Sequence, residues 1–433
     1  MMKQIFINAF IIAMTEGEKP FKGALGVENK IISYVGPVPT DEILHTYDQV
    51  IDMDGKAILP GFVNTHGHAA MSLLRGYADD LPLKTWLEEK MWPLEAKFTS
   101  EQVRAGTALS VLEMIQSGTT CFLDMYDHMD QVAEVVIESG IRGSLCRGAI
   151  GFGSEELRQS KLKEATEFAK TWHQAADGRI TTMLSPHSPY TCSPNFIRQF
   201  IEKAVELNLP VHTHMSETAA EVQQNVDEYG VRPVEHLRNL GFFDIPSLVA
   251  HAVHLTEEEI DILAEYDVKV AHNPGSNLKL GSGIAPIPQM LKKGIRPGLA
   301  TDGAASNNNL DMLEEIQLAA LLHKGVHQDP EAVPADVALR MGTIFGAEAL
   351  FLEKEIGTLE VGKKADFITF DLSGPHMYPQ HDIVSHIVYS ASRADIQDVY
   401  VDGKAIMLGR KCLTLDEEKI RFEAVKAFEA IAP

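Results

Sequence analysis

Cysteine is scarce in this sequence, and long hydrophobic runs are missing. Four cysteines in 433 residues, with no Cys-x-x-Cys pair among them, are too sparse to indicate a disulfide framework, so we expect free thiols in a reducing, cytoplasmic compartment. No segment approaches the roughly eighteen apolar residues that a membrane-spanning helix needs. The apolar stretch at residues 3–14 is interrupted by Gln4 and Asn8 and lacks a following cleavage site, so we interpret it as a strand rather than a signal peptide.

Positive charge is also in short supply. Lys and Arg number 38 against 61 Asp and Glu, which gives a formal net charge of -23 at pH 7. Nucleic acids and anionic membranes are bound through clustered cations, so this balance argues against both as partners. A composition of 45% hydrophobic and 23% charged residues is that of an ordinary globular protein with a large core. We therefore expect a small molecule as the binding partner.

Strand and helix patterns divide the chain into two predicted domains. Short β-patterned runs separated by Gly, Pro and Asp occupy both ends, and we expect residues 1–58 and 355–433 to form one β-sandwich domain. Residues 59–354 alternate apolar strand-like runs with helix-length segments, which predicts an α/β catalytic domain built as a TIM-like (β/α)8 barrel. The expected helices include 100–117, 130–139, 193–207 and 256–266. The eight expected strands are 59–64, 119–124, 143–147, 181–184, 211–214, 248–251, 268–272 and 297–302.

Polar residues stand at the ends of these strands, where barrel enzymes keep their active sites. His66 and His68 follow the first strand and, being two residues apart in an extended chain, point the same way. We expect the strand-end residues to converge, although a single histidine in such a place is more often structural. The remaining members of the set are Asp124, Arg147, His187, His212, His214, His251, His272 and Asp302.

Four of these residues are suited to hold a catalytic metal ion. His66, His68, His214 and Asp302 supply nitrogen and oxygen ligands, and a divalent ion bound by them would bring the pKa of a coordinated water near neutrality. Zinc and iron both accept imidazole and carboxylate ligands, so the sequence leaves the choice open. Glu217 follows His214 by three residues, where it could either transfer protons or begin and cap the next helix.

Longer motifs carry a family resemblance over nearly the whole chain. Residues 60–68 read PGFVNTHGH, residues 301–303 read TDG, and β-patterned segments occupy both ends. Together with the histidines between them, these features resemble the amidohydrolase superfamily of metal-dependent hydrolases and deaminases. Two-metal members carry a lysine at the end of the fourth strand, whereas residues 183–188 here read MLSPHS. The resemblance therefore implies the branch with one metal ion, which deaminates aromatic bases or removes other leaving groups from rings.

Further motifs refine what the resemblance implies. They are LRGYADDLPL at 74–83, WL at 86–87, WPLE at 92–95 and SPHSPYT at 185–191. By resemblance, the activity is hydrolytic deamination at adenine C6 of 5′-methylthioadenosine and S-adenosylhomocysteine, with adenosine as a third candidate, giving inosine derivatives and ammonia. One divalent ion per subunit, zinc or alternatively iron, would be bound by His66, His68, His214 and Asp302.

The same resemblance implies roles for the residues around the metal. Glu217 would donate a proton to N1 of the ring, while Asp302 and His251 would handle the proton of the attacking water. A carboxylate such as Glu95 can accept hydrogen bonds from both ribose hydroxyls, although without the resemblance it reads as a solvated helix residue. The implied purine and ribose contacts are Glu95, Arg147, His187, Glu217 and Asp302.

Several alternatives remain open on the sequence alone. A deaminase or chlorohydrolase for guanine, cytosine or a triazine would use the same metal ligands with a different pocket. A non-catalytic barrel would be expected to lose ligands, and a plain metal-binding protein would need neither Glu217 nor His251. The sequence does not rank the 5′ substituents of the nucleoside. It also leaves open whether Arg158 or Trp86 contacts the substrate, and whether loops at 80–93 pair two subunits into a homo-oligomer.

Overall fold

Strands and helices alternate through the middle of the chain in the computed structural model, which describes residues 2–432. The strands are β1 (Lys3–Ile11), β2 (Phe21–Glu28), β3 (Ile31–Gly36), β4 (Gln49–Asp52), β5 (Lys56–Pro60), β6 (Phe62–Asn64), β7 (Thr119–Tyr126), β8 (Arg142–Ala149), β9 (Ile180–Thr182), β10 (Ser185–Pro186), β11 (Val211–Met215), β12 (Ser247–His251), β13 (Lys269–His272), β14 (Gly298–Leu299), β15 (Phe367–Asp371), β16 (Ile396–Val401), β17 (Lys404–Leu408) and β18 (Lys411–Cys412). No helix within the described residues is both long and apolar enough to cross a bilayer.

The helices lie mainly between the parallel strands. They are α1 (Asp41–Leu44), α2 (Leu83–Thr85), α3 (Trp92–Glu95), α4 (Ser100–Gln116), α5 (Met129–Ser139), α6 (Glu155–Trp172), α7 (Ala175–Gly178), α8 (Pro194–Leu207), α9 (Ala219–Tyr229), α10 (Pro233–Asn239), α11 (Glu257–Glu265), α12 (Pro274–Lys279), α13 (Ile287–Lys292), α14 (Met312–His327), α15 (Ala335–Met341), α16 (Ile344–Ala349), α17 (Ile383–Tyr389) and α18 (Glu417–Glu429). The four helices named from the sequence are confirmed as α4, α5, α8 and α11, with ends within about one residue of those expected.

Several helices begin where the sequence supplies a capping side chain. The backbone N–H of Thr99 donates to Gln102 Oε1 at 3.0 Å, and the Thr99 hydroxyl accepts a hydrogen bond from the first turn of α4. Thr256 and Glu259 make the same reciprocal exchange at the start of α11. These side chains satisfy N–H groups that have no partner within the helix, which is why the helices start at these positions.

The parallel strands β6 to β14 follow the eight apolar runs expected from the sequence. One ladder has the order β10-β8-β7-β6, with β9 beside β8, and a second has the order β11-β12-β13-β14. Hydrogen bonds link the ladders on both sides: Thr65 N–H donates to Leu299 O at 3.0 Å, and His212 N–H donates to Leu184 O at 2.9 Å. The arrangement is a TIM-barrel type of α/β fold. Within residues 2–432 the ladders stay two sheets and do not merge into one closed ring.

Successive residues of each parallel strand face opposite sides. In β7, Leu123 belongs to the same buried cluster as Leu248 and Ala271 from other strands, and Ala347 of α16 joins that cluster. Phe122, one position away, belongs instead to the large core shared with the surrounding helices. The buried side chains of one strand therefore divide between the barrel interior and the helix layer.

Both ends of the chain build a nine-stranded sheet with its own core. Its order is β18-β17-β16-β15-β5-β1-β2-β3, with β4 paired to β1, and β5 lies antiparallel to β15 from Pro60↔Phe367 to Lys56↔Asp371. The ring of Phe6 in β1 lies 5.2 Å from that of Tyr400 in β16, although two strands separate β1 from β16. Neighbouring strands are about 4.8 Å apart in a flat sheet, so this sheet must curl to bring the rings of Phe6 and Tyr400 into contact. The expected two-sheet sandwich stays a prediction.

A buried ion-pair cluster joins the curled sheet to the barrel strands. Arg142, the first residue of β8, contacts both carboxylate oxygens of Asp366 at 2.8 and 3.1 Å and the carboxylate of Asp402 at 2.7 Å. Asp366 precedes β15 and Asp402 follows β16. The bidentate geometry matches the planar guanidinium to a carboxylate, so the cluster holds the two parts of the molecule in one orientation.

Candidate active site and metal centre

Three imidazoles converge beyond the ends of β6 and within β11. One ring nitrogen from each of His66, His68 and His214 lies within 4.8 Å of the others. The Nδ1 atoms of His68 and His214 are 2.7 Å from the carbonyl oxygens of Met125 and His187. Because a carbonyl only accepts, both rings carry hydrogen on Nδ1 and present the lone pair of Nε2 to the centre.

One ring nitrogen of His66 is buried without a hydrogen-bond partner. Its Nδ1 is 2.9 Å from His212 Nε2, while its own Nε2 is fully buried and has no hydrogen-bond partner. Burial and the neighbouring imidazoles hold the pKa of His66 well below its ordinary value, and burial does the same for His214. Neutral rings with converging lone pairs are what a divalent cation requires, so the residues present fit a metal ion.

Asp302 faces the imidazole cluster with one oxygen. Its Oδ1 lies 3.3 Å from His68 Nε2 and 3.6 Å from His66 Nε2. Its Oδ2 accepts hydrogen bonds from the hydroxyls of Ser276 and Ser306 at 2.6 and 2.9 Å. Although burial alone would raise the pKa of Asp302, the nearby imidazoles and the two hydroxyls hold it below the ordinary value. The carboxylate is therefore ionised and oriented toward the centre.

A second acid and a fourth imidazole complete the polar end of the site. Glu217 Oε2 lies 3.7 Å from His251 Nε2, and Ser282 donates to Glu217 Oε1 at 3.1 Å. Burial raises the pKa of Glu217. Burial opposes the charge on His251, but the carboxylates of Glu217 and Asp302 raise the pKa of His251 above its usual range. Both pKa shifts are upward, in the direction that favours the protonated form of each group.

Glu217 does not cap the helix that follows it. The capping side chain of α9 is that of Thr218, whose hydroxyl accepts from Glu221 N–H at 3.1 Å. The backbone of Glu217 donates to the carboxylate of Glu221, so its own side chain is left to face the cavity. The geometry thus removes the capping interpretation that the sequence left open.

These residues surround one cavity of about 430 Å³. It is large enough for a nucleoside-sized molecule, and aromatic and aliphatic side chains form much of its wall. Trp86 and Trp92 belong to the lining, whereas Arg158 does not and instead pairs with Glu155 at the surface. The sequence-derived site residues that line the cavity are His68, Glu95, Arg147, His187, His214, Glu217, His251 and Asp302.

The cavity wall also carries a carboxyl, a guanidinium and a further imidazole. Glu95, at the end of α3, accepts a short hydrogen bond from the hydroxyl of Tyr126, and burial raises the pKa of Glu95. Arg147 lies between Asp127 at 3.2 Å and Glu164 at 3.1 Å. Burial lowers the pKa of His187 to about 3, so this ring is neutral and can accept or donate a single hydrogen bond.

Two of the polar residues expected to converge face the helix layer instead. Asp124 accepts from the Ala69 N–H at 2.6 Å, and His272 Nε2 lies 3.3 Å from His323 Nε2 of α14. Neither residue lines the cavity. The expectation that all strand-end polar residues share one site was wrong for these two, because their side chains bond to partners outside the cavity.

Several residues of the site were not singled out in the sequence. Their chemistry is to orient the acids and the fourth imidazole: Tyr126 holds Glu95, two serines hold Asp302, Ser282 holds Glu217, and Asn277 Oδ1 lies 2.9 Å from His251 Nδ1. Most follow β13 and β14, where Ser276 and Asn277 lie in the short helix α12 and Ser282 and Ser306 lie in irregular segments. Their position after a strand end was the one signal that could have pointed to them.

The fold and this constellation together define a class of enzyme. The chain belongs to the amidohydrolase family, whose profile matches residues 57–406, and it is a metal-dependent hydrolase. The chain is 54% identical to the 5-methylthioadenosine/S-adenosylhomocysteine deaminase of Dictyoglomus thermophilum, with 89% of this chain and 90% of that protein covered. It is 50% identical to the enzyme of the same name from Halalkalibacterium halodurans, with 95% and 93% covered. A zinc-bound crystal structure described as an adenosine deaminase from Xanthomonas campestris superposes with a TM-score of 0.93 at 34% identity, covering 99% of this chain and 98% of that one.

Proposed function

We propose that this enzyme deaminates 5′-methylthioadenosine and S-adenosylhomocysteine at adenine C6, giving the inosine derivatives and ammonia. The observation that carries the proposal is the placement of Glu217, His251 and Asp302 around the three-imidazole cluster, in the same cavity as Glu95. The names of relatives at about 50% identity over nearly the full length support the substrate class. A carboxyl on the cavity wall suits the hydroxyl groups of a ribose, and a free base or a triazine has no ribose.

The metal would be held by His66, His68 and His214 together with Asp302. We infer one divalent ion per subunit, with zinc preferred over iron because the superposed crystal structure of 34% identity carries zinc. When bound, such an ion supplies Lewis acidity that brings the pKa of a coordinated water toward neutrality. The orphaned Nε2 of His66 supports this ligand set, because burial without a partner would otherwise cost free energy.

Proton transfer would be carried by the side chains of the chain itself. Glu217, whose pKa is raised by burial, keeps a proton and donates it to N1 of the ring as water adds to C6. Asp302, already ionised, accepts a proton of that water, while His251 keeps its own proton and donates a hydrogen bond from Nε2 to the attacking oxygen. Asp302 then returns its proton to the departing amine, and loss of the new hydroxyl proton restores Glu217 and leaves an inosine ring.

Other residues of the cavity wall would bind the sugar and the 5′ substituent. Glu95 accepts hydrogen bonds from the ribose hydroxyls, and the Tyr126 hydroxyl keeps its carboxylate in place. His187 supplies a further neutral hydrogen-bonding group. Arg147 is the candidate partner for the carboxylate of S-adenosylhomocysteine, which would have to share the guanidinium with Asp127 and Glu164.

We also infer the finer organisation around this site. Residues 1–58 and 355–433 would form a β-sandwich domain, and residues 59–354 a closed (β/α)8 catalytic barrel. The separate core around Phe6, Phe367 and Tyr400 supports the first assignment, and the hydrogen bonds that connect both sides of the two parallel ladders support the second. The four cysteines are buried and form no disulfide bonds, which supports a cytoplasmic location.

The first experiment follows ultraviolet absorbance after zinc-loaded protein is mixed separately with methylthioadenosine, S-adenosylhomocysteine, adenosine and guanine. Conversion of adenine to hypoxanthine changes the spectrum directly. We expect turnover of the adenosine derivatives, and a loss of about 10²- to 10⁴-fold in kcat for Glu217→Gln, which keeps the shape of the side chain and removes its acid.

The matched control for this experiment is Glu134→Gln, which changes a surface glutamate paired with Arg104. It should retain the activity of the unmodified enzyme. If zinc binds but none of the adenosine derivatives reacts, the substrate assignment is wrong, and turnover of guanine would favour the alternative ring-deaminase function. Full activity of Glu217→Gln would show that Glu217 is not the proton donor.

A further inference from the structure

His66 differs from the other two clustered imidazoles in what holds its Nδ1 atom. Backbone carbonyls hold His68 and His214, and no side-chain substitution can remove them. His66 Nδ1 instead meets a side chain, the Nε2 atom of His212, at 2.9 Å. His66 is therefore the one member of this trio whose Nδ1 partner can be removed by a single mutation elsewhere.

His212 is itself fixed from the opposite side. Both histidines are fully buried, and His212 lies in β11 with Leu248 of the neighbouring strand β12 as its Cα partner. Its Nδ1 is 3.1 Å from the Leu248 carbonyl oxygen, and its backbone N–H and C=O bond to Leu184 and Ser185. The ring thus bridges a strand carbonyl and a member of the cluster, with no carboxylate bonded to it.

This chain of hydrogen bonds determines where each proton lies. The Leu248 carbonyl can only accept, so His212 carries hydrogen on Nδ1. A buried imidazole without a carboxylate partner is neutral, which leaves a lone pair on His212 Nε2. His66 must then donate from Nδ1 into that lone pair, and its own Nε2 is left without hydrogen, pointing into the cluster.

We propose that His212 is a positioning residue for His66. Its ring donates a hydrogen bond to the Leu248 carbonyl and accepts one from His66 Nδ1, which fixes His66 in the Nδ1-protonated form that binds a divalent cation. The inference rests on the proposed metal site and not on the identity of the substrate. Hydrogen-bond partners behind metal ligands typically contribute about 10- to 100-fold in metal affinity, because they set ring orientation and ligand basicity.

A second buried histidine pair in the chain provides the comparison. His272 and His323 also meet through Nε2 atoms, at 3.3 Å, but both Nδ1 atoms lack a partner and neither ring borders the cavity. No group outside the pair sets its tautomer, and the contact links β13 to α14 away from the cluster. It offers the same substitution, His to Phe in a buried pair, away from the cluster.

The experiment measures zinc affinity by competition with a chelator, using protein stripped of metal and then titrated with zinc. We expect His212→Phe to bind zinc about 10- to 100-fold more weakly than wild type. His212→Gln, whose amide oxygen can accept from His66 Nδ1, should recover much of this loss. His323→Phe should bind zinc like the wild type, although it also places a phenyl ring in a buried histidine site.

The zinc-free wild type gives a readout that needs no variant. In protein labelled with ¹⁵N at histidine, His66 should show hydrogen on Nδ1, and Phe substitution at position 212 should shift that signal. Hydrogen on Nε2 of His66 would overturn the proposal, as would equal zinc affinity for wild type and His212→Phe, or equal loss for the Phe and Gln variants. Zinc affinity is measured without substrate, so these outcomes do not depend on whether the protein is a deaminase. A failure of the proposed function can therefore be told apart from a failure of this proposal.

Discussion

Glu95 is a residue whose proposed role separates binding of the sugar from chemistry at the ring. Its carboxylate lines the cavity and accepts a hydrogen bond from the Tyr126 hydroxyl. Replacement by Gln removes the charge but keeps the shape. Hydrogen bonds to a charged group contribute about 1.5–3 kcal/mol, so kcat/KM for methylthioadenosine should fall about 10- to 100-fold.

The control for this prediction is a substrate rather than a second mutation. A 2′,3′-dideoxy nucleoside lacks the hydroxyls that Glu95 would accept, so wild type and Glu95→Gln should process it at similar kcat/KM. Steady-state kinetics with both substrates check the prediction. An equal loss on the two nucleosides would mean that the carboxylate supports the pocket structurally and does not recognise ribose.

At this scale the sequence predicted the converging imidazoles better than the residues that orient the acids around them. His66 and His68 were readable because a two-residue spacing in extended chain puts both rings on one side. Ser276, Ser306 and Asn277 could not be predicted, because short polar residues are common outside strands and only three-dimensional proximity brings these three to Asp302 and His251. The outward orientation of His272 depended on strand phase, which could not be counted without knowing where the strand begins.

At the scale of secondary-structure elements, one buried carboxyl joins α14 to two segments of the site. Glu315 accepts from Gly275 N–H at the start of α12 at 2.9 Å and from Asn307 Nδ2 at 2.8 Å. Asn307 also donates to the carbonyl of Thr301, next to Asp302. Burial raises the pKa of Glu315 to about 8, by more than its two donors lower it.

Stability should therefore depend on pH through Glu315. Its folded pKa lies above the ordinary value of 4.5, so its contribution to stability is complete below about pH 4.5 and is lost as the pH rises through about 8. Over this window the folded chain binds more protons than the unfolded chain. The free energy of unfolding of the wild type, measured by urea denaturation, should fall relative to that of Glu315→Gln by a few kcal/mol. If the free energies of unfolding of the two proteins change with pH in the same way, Glu315 is ionised at neutral pH.

Helices were the elements that the sequence predicted most closely. Capping pairs such as Thr256 with Glu259 mark a helix start within the local sequence, and the structure forms the bonds that the pattern requires. The last barrel strand was harder, because β14 is only Gly298–Leu299 while the apolar run suggested 297–302. The residues beyond it leave the ladder, and Asp302 has a left-handed backbone with φ of 61°. Such a turn depends on its tertiary contacts.

At the scale of the whole molecule, the ion-pair cluster around Arg142 connects the barrel strands to the curled sheet. Its guanidinium is 3% exposed, and both acidic partners are buried. Arg142→Met would leave Asp366 and Asp402 without their main cation. Removing one partner of a buried ion pair typically costs about 3–5 kcal/mol, and we expect a loss of that size in the free energy of unfolding from urea denaturation.

The control is Arg104→Met, which also removes an arginine with two acidic partners. Arg104 pairs with Glu134 and Glu138 at the surface, with 38% of its side chain exposed. Exposed pairs contribute at most about 1 kcal/mol, so this variant should be nearly as stable as the wild type. Similar small losses for both variants would mean that the buried cluster adds nothing to the cohesion of the two parts.

The curled sheet also imposes an order on biosynthesis. Strand β5 leaves the ribosome early, but its antiparallel neighbour β15 begins only at Phe367, about three hundred residues later. At typical translation rates of roughly 5–20 residues per second, one edge of β5 stays unpaired for about 15–60 s. Exposed strand edges invite pairing with other chains. The nascent polypeptide is therefore most vulnerable to aggregation while its barrel is still being translated, and slower translation would lengthen that interval.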